Sequence, residues 1–174
     1  MLDAQTIFTT ERLLCRRWQA SDIEPLFAVY SDSEAMRWVG DGAPLLREHC
    51  EHWLEVTDTN YQKRGYGMFA LEERETGQVI GFCGIVHPGG QPEAEVKYAL
   101  LKSHWGKGLA TEAVRALLDY GHQTHGLSEI IATVAPANLA SQRVLLKSGM
   151  TQGELRENPD GSHTQVFIWG APSA

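Results

Sequence analysis

The sequence predicts an α/β fold, and three observations carry that expectation. A glycine turn, Trp105-Gly106-Lys107-Gly108, runs directly into apolar residues at helical spacing: Leu109, Ala110, Ala113, Val114, Leu117 and Leu118. Short runs that alternate or are rich in β-branched residues lie on both sides of it. Turn residues separate these runs at short intervals, and no repeat or linker interrupts them. With 174 residues and 43% hydrophobic side chains, the chain is expected to form one domain, residues 1–174, around one core.

Taken in order, Arg12-Leu13-Leu14-Cys15-Arg16 alternates as a first strand, closed by Trp18. Ser21 and Glu24 have the spacing of a capping box, which predicts a helix from Ser21 to about Ser31 with Leu26, Phe27, Val29 and Tyr30 on its apolar side. After the turn Asp41-Gly42-Ala43-Pro44, a second helical pattern runs from Leu45 to about Lys63. The period then changes: Gly67 to Glu72 and Val79 to Val86 read as strands joined by the turn Glu75-Thr76-Gly77-Gln78, and His87-Pro88-Gly89-Gly90 breaks the second of them. A strand from Ala94 to Leu101 leads into the long helix, Gly108 to His122, with Gly126 marking the end of the helical region. Ile130 to Val134 reads as a buried strand, and Pro136 and Asn138 precede a short helix from Leu139 to Ser148 that Gly149 stops. Strands from Thr151 to Glu157 and His163 to Trp169, joined by Asn158-Pro159-Asp160-Gly161, complete the chain.

Composition excludes several classes of function. The start Met-Leu-Asp-Ala-Gln lacks the parts of a secretion signal, and no apolar run approaches the roughly 20 residues of a membrane helix, so a soluble cytoplasmic protein without membrane contact is expected. Cys15, Cys50 and Cys83 lie in apolar patterns and read as buried, reduced thiols. A net charge of −7 argues against a nucleic-acid partner. The glycine turn departs from that acidity: between Val96 and Leu118, Lys97, Lys102, Lys107 and Arg115 are set against Glu112 alone. A helix start of this kind, with unpaired amides and a positive surround, attracts phosphate. It is not a Walker loop, because Lys107 is followed by Gly108 rather than Ser or Thr. His49 with His52, and His122 with His125, each lack a third ligand, so no metal is expected.

The string Trp-Gly-Lys-Gly-Leu-Ala-Thr-Glu-Ala at 105–113, the strand before it, and Ala-Asn-Leu-Ala-Ser at 137–141 opening a helix that ends in Lys-Ser-Gly-Met together resemble the GCN5-related N-acetyltransferases (GNAT). Within them the resemblance is to the branch containing the ribosomal-protein N-terminal acetyltransferases, whose first strand Thr10 to Arg16 also resembles. Gly108 and Ala110 match the small positions of the superfamily's phosphate motif, while Trp105 stands where Gln or Arg is general, the usual form in that branch. The resemblance implies a mixed, mostly antiparallel sheet that splays at the strand Ala94 to Leu101, is flanked by helices and holds acetyl-CoA in the gap. It implies that Ala99, Leu100 and Leu101 hydrogen-bond the pantetheine and that the amides of Gly106, Lys107, Gly108, Leu109 and Ala110 hold the pyrophosphate, with Trp105 and Thr111 completing the turn. Lys107 would add charge and Arg143 would reach the nucleotide end; both also read as solvated surface charges.

Amine acetylation requires a neutral amine held at the thioester carbonyl and a stabilised leaving thiolate. Glu95 is the leading candidate for accepting the ammonium proton, with Glu93 behind it; the other reading of Glu95 is an exposed strand carboxylate or a structural acceptor. The tyrosine that the wider superfamily often places seven residues after the motif asparagine is replaced by Leu145. Ser141 is then the polar residue left near the expected sulfur, as a thiol-side donor, and Asn138 would contact the cofactor, cap the helix, or both. Trp38, Trp53, Tyr66 and Phe69 either line an acceptor pocket or pack, with packing favoured for Trp53.

The resulting expectation is an acetyl-CoA-dependent N-acetyltransferase, monomeric or homodimeric, with no metal. Its acceptor is a protein N-terminal α-amine or a small amine such as a polyamine or aminoglycoside, bound around Met36 to Pro44 and the second helix. Asp41, Glu48, Glu51 and Glu55 could attract a cation there or simply form a solvated face. A non-catalytic acyl-CoA sensor is the remaining alternative; Glu95, Asn138 and Ser141 beside a complete cofactor motif favour the enzyme.

Overall fold

Along the chain the elements are β1 (Thr6–Thr9), β2 (Leu13–Arg17), α1 (Ile23–Tyr30), α2 (Ser33–Met36), α3 (Cys50–Arg64), β3 (Met68–Glu73), β4 (Val79–Val86), β5 (Glu95–Leu100), α4 (Leu109–His125), β6 (Glu129–Val134), α5 (Leu139–Lys147), β7 (Thr151–Glu157) and β8 (His163–Gly170). The computed structural model describes residues 5–39 and 42–172; Asp41 and the residues 1–4 used in the sequence reading lie outside them. The eight strands form one open sheet in the order β1-β2-β3-β4-β5-β6-β8-β7. Every neighbouring pair is antiparallel except β5 and β6, which run parallel and meet at a single register pair, Glu95 opposite Ile131.

Two apolar layers cover the sheet. On one face α4 buries Leu109, Ala113, Val114, Leu117 and Leu118, and α5 buries Leu145, against Leu13, Phe69, Val96, Leu100 and Ile130. On the other, Leu26, Val29 and Tyr30 of α1, Met36 of α2 and Cys50 of α3 pack on Trp18, Ala70, Phe82 and Ala99. Strand β5 contributes alternate side chains to both layers, as the two-residue period requires. Cys15, Cys50 and Cys83 are buried free thiols.

Several boundaries differ from the sequence reading for identifiable reasons. Strand β1 was not expected; Ile7 and Phe8 are adjacent rather than alternating, and a bulge between Thr6 and Phe8 absorbs the mismatch. Helix α2 is a single turn, capped by Asp32 Oδ1 accepting the Ala35 amide at 2.9 Å, too short to produce a periodic signal. Asp22 rather than Ser21 stands at the start of α1, and its side chain caps no amide of that helix: Oδ2 accepts the Gln19 amide at 2.7 Å while Arg16 grips both carboxylate oxygens at 2.8 and 3.0 Å. A 3-10 turn at Ala20–Asp22 therefore precedes α1. Helix α3 begins at Cys50 rather than Leu45, because Leu46 is extended and Arg47–His49 form another 3-10 turn. Helix α4 continues to His125, one turn beyond expectation, and Gly126 ends it in the left-handed conformation.

Candidate active site

The break between β5 and β6 is the feature that builds a site. The Ile131 amide donates to Ala94 O at 2.8 Å, and at the other end of the strand the Leu101 amide donates to Ile80 O at 2.8 Å. Since strand amides alternate between neighbours, these two bonds turn the backbone of Ala99 and Leu101 toward β4, and that of Tyr98 and Leu100 toward the gap. The expected run Ala99 to Leu101 is thus displaced: Leu100 faces the gap, Tyr98 joins it, and Ala99 and Leu101 are committed to the neighbouring strand.

The glycine turn lies at the wide end. Gly106 and Gly108 both take left-handed conformations, φ 74° and 79°, and Gly108 is the residue before α4. Leu109, Ala110 and Thr111 form the first turn of that helix, where amides have no intrahelical acceptor. Trp105 fastens the turn to β5: its indole Nε1 donates to Leu100 O at 2.8 Å while the ring remains 45% exposed. Lys107 is exposed on the turn and Arg143 on α5.

A tie that the sequence reading missed supports the turn from behind. Arg12 donates through Nε to Glu112 Oε1 at 2.9 Å and through a terminal nitrogen to Lys107 O at 2.8 Å. Glu112 Oε2 also accepts from Thr10 Oγ1 at 2.5 Å and from the Arg12 amide at 3.0 Å. Burial raises the Glu112 carboxyl, but the bonds from Thr10 and Arg12 outweigh it and hold the group below the ordinary carboxylate range. The hairpin between β1 and β2 thereby clamps the glycine turn.

At the narrow end stands Glu95. It is 3% exposed, so the exposed-carboxylate reading does not hold. Its Oε2 accepts from Lys97 Nζ at 2.9 Å and from Thr133 Oγ1 at 2.8 Å across the gap, and its Oε1 accepts from Gln91 Nε2 at 3.2 Å. An ionised carboxylate has about four lone-pair sites, so three protein donors leave it capacity for one more. Ser141 lies in the first turn of α5, and its amide donates to Asn138 Oδ1 at 3.2 Å, which makes Asn138 the helix cap. The hydroxyls of Ser141 and Tyr98 hydrogen-bond to each other, joining α5 to β5. Burial pushes the Tyr98 phenol up to about 12, with the Ser141 bond working in the opposite direction. The signal for Tyr98 was its place in the strand between Val96 and Leu100, on the face toward α4 and α5.

The remaining candidates sort by burial and contact. Trp53 packs edge-on against Trp18, Phe69 stacks on Tyr61, and Tyr66 hydrogen-bonds His87 Nε2 at 2.7 Å. Trp38 is 47% exposed with Arg37 over its ring, and among the four aromatics it presents the surface a ligand could use. His122 bonds Leu127 O and His125 bonds the Tyr120 hydroxyl, while His49 and His52 are exposed beside Glu48 and Glu55. Among the described residues, no group of three or more His, Cys, Asp or Glu side chains is placed to hold a metal ion. No helix there is long and apolar enough to cross a membrane.

Residues 12–151 match the family described as an acetyltransferase (GNAT) domain. The protein YkkB of Bacillus subtilis is 33% identical over 152 residues, which cover 86% of this chain and 87% of that one. The N-acetyltransferase p20 of Bacillus licheniformis is 32% identical over 171 residues, covering 95% and 94%. Among solved structures, an acetyltransferase from Agrobacterium tumefaciens superposes with a TM-score of 0.80 at 27% identity, over 98% of this chain and 97% of that one. RimL, a ribosomal L7/L12 α-N-protein acetyltransferase solved with coenzyme A, gives a TM-score of 0.80 at 15% identity over 95% and 97%, a likeness of fold.

Proposed function

The chain belongs to the GNAT acetyltransferase family, and from that premise we propose that it transfers an acetyl group from acetyl-CoA to a primary amine, the α-amine of a protein N-terminus being the favoured acceptor. The observation that carries the reading is the parting of β5 and β6 after one residue pair, with the glycine turn at one end of the opening, Glu95 at the other and Ser141 beside Tyr98 between them. The residues fit the cosubstrate: the two left-handed glycines and the first turn of α4 suit a diphosphate, and the gap-facing backbone of Tyr98 and Leu100 suits an amide-bearing chain. When bound, acetyl-CoA supplies an activated carbonyl and a thiol leaving group.

The side chains then divide the work. Amides from Gly106 to Ala110 hold the diphosphate, with Lys107 adding charge and Arg143 approaching the nucleotide end. Trp105 keeps the turn seated on Leu100, and Asn138 fixes the start of α5 so that Ser141 faces the sulfur position. Glu95 uses its remaining acceptor capacity to draw the proton from the incoming ammonium, directly or through water. Ser141 donates a hydrogen bond to the developing negative charge on sulfur.

An N-terminal α-amine is favoured by the likeness of the Trp105 string and of Thr10 to Arg16 to the ribosomal-protein branch. The exposed carboxylates Glu48, Glu51 and Glu55 favour a cationic small amine as the second reading. The test is acetyl-CoA-dependent release of free thiol over a panel of N-terminal peptides, polyamines and aminoglycosides. Turnover with any amine supports the enzyme, and the preferred acceptor decides between the two classes. Tight binding without turnover on the whole panel identifies a sensor.

A further inference from the structure

Tyr98 and Ser141 join hydroxyl to hydroxyl between β5 and α5, and the Tyr98 hydroxyl also lies 3.4 Å from the Ser141 carbonyl oxygen. Tyr98 belongs to β5 and Ser141 to α5, so the bond ties the strand on one side of the opening to the helix that follows β6. Leu145 is fully buried in the core and has no polar atom to offer on α5. On the acetyl-transfer reading Ser141 is the hydroxyl at the sulfur position, and Tyr98 is its side-chain partner. A serine hydroxyl has a single proton on a freely turning rotor; a donor seated on its oxygen fixes that rotor and polarises the remaining O–H.

Resting on the acetyl-transfer reading above, we propose that Tyr98 is a positioning residue: its O–H donates to Ser141 Oγ and turns the Ser141 O–H toward the leaving sulfur. As the carbon–sulfur bond breaks, its electron pair goes to sulfur, and the Ser141 O–H keeps its proton and donates a hydrogen bond to the resulting thiolate. The proton of the attacking nitrogen departs on the Glu95 side, because residues 95 and 98 point to opposite faces of β5. Tyr98 does not hand its own proton to the thiolate. A phenol pushed up to about 12 by burial lies well above a thiol at about 8.5, so the transfer would run uphill. Its contribution is orientation and polarisation.

The experiment compares Tyr98→Phe, Ser141→Ala and the double variant. Tyr98→Phe is expected to lower kcat about tenfold with the KM for acetyl-CoA within about twofold. The double variant is expected to be no worse than Ser141→Ala, since Tyr98 acts through Ser141. A second readout needs no turnover: calorimetric affinity for free coenzyme A against pH, beside an S-methyl thioether that has no ionisable thiol. A pair that favours the thiolate makes wild-type affinity for coenzyme A rise as pH passes the thiol's titration, leaves the thioether flat, and loses the rise in Tyr98→Phe and Ser141→Ala. Ser141→Thr, which keeps the hydroxyl, should retain it. Additive losses in the double variant, or an unchanged pH profile in folded Tyr98→Phe, would overturn the proposal. Absence of turnover with every amine, with the pH profile as described, would instead remove the acetyl-transfer reading and leave the Tyr98–Ser141 pair as a thiolate-binding device.

Discussion

Replacing Gly108 by Asp or by Asn separates charge from backbone strain at the glycine turn, the proposed seat of the diphosphate. The two side chains are nearly isosteric, and both must adopt the left-handed conformation that Gly108 holds at φ 79°. An added Cβ meets only an Arg12 terminal nitrogen, at 3.5 Å, an ordinary contact, so neither variant is crowded out of the turn. The shared strain is about 1 kcal/mol and should lower the stability of both folds alike. The charge acts on Asp alone. Two unit charges about 5 Å apart repel by roughly 1–3 kcal/mol at surface dielectric constants, and a diphosphate presents two of them. Screening by Arg12, Lys107 and salt brings the expected penalty to about 2–3 kcal/mol, a loss of roughly 30- to 150-fold in acetyl-CoA affinity. Calorimetric titration of wild type and both variants at low and moderate salt measures it. Gly108→Asn should stay within about tenfold of wild type, and the gap between Asp and Asn should narrow as salt rises. Equal affinities for the two variants would refute the placement of the diphosphate on this turn.

Glu112→Gln keeps the shape of the Arg12 clamp but removes its charge, and should cost about 1–2 kcal/mol of stability at neutral pH by chemical denaturation. Because the folded state holds the Glu112 carboxyl below its ordinary range, its contribution is complete above that range and is lost as pH falls through the depressed value. The wild-type and Glu112→Gln stability curves should therefore converge on acidification, and parallel curves would deny the clamp its charge dependence. Glu95→Gln should reduce kcat at least about tenfold in a protein that still binds acetyl-CoA, with the greatest loss toward low pH, where little free amine is present; unchanged turnover would leave Glu95 a purely structural acceptor. Gln165, 5% exposed, donates to the carbonyls of Gly153, Glu154 and Val166 at 3.0 to 3.1 Å and so fills the bulge between β7 and β8. Gln165→Leu should strand those carbonyls and destabilise the fold by about 2–3 kcal/mol in denaturant melts, with no direct effect on acetyl-CoA affinity.

What was legible in the sequence was whatever local spacing determines. The glycines at 106 and 108, followed by Leu109, Ala113, Val114 and Leu117, announced both the turn and α4, and Gly126 announced its end. The antiparallel strands from Met68 to Val86 carried period-two or continuously apolar runs between recognisable turns. What was not legible depends on partners distant in the chain. Arg12 meets Glu112 across 100 positions, and Thr133 meets Glu95 across 38. The burial of Glu95 follows from Gln91, Lys97 and Thr133 converging on it, which no single stretch reveals. The one-residue displacement along β5 has the same origin: an apolar run marks the strand, but only its hydrogen bonds to Ile80 and Ile131 decide which amides face the gap. Tyr98 carries no such local signal, because a tyrosine within a strand reads first as packing and its bond to Ser141 spans 43 positions.

Acetyl transfer within the β5–β6 gap can be followed by mass spectrometry of an N-terminal peptide and of a polyamine, each incubated with isotopically labelled acetyl-CoA and this protein. One labelled acetyl group is expected on an amine nitrogen of at least one of them, formed in step with free coenzyme A and lost in Gly108→Asp at low acetyl-CoA. Coenzyme A release with no label on any amine, or labelling that proceeds equally in Gly108→Asp, would contradict it.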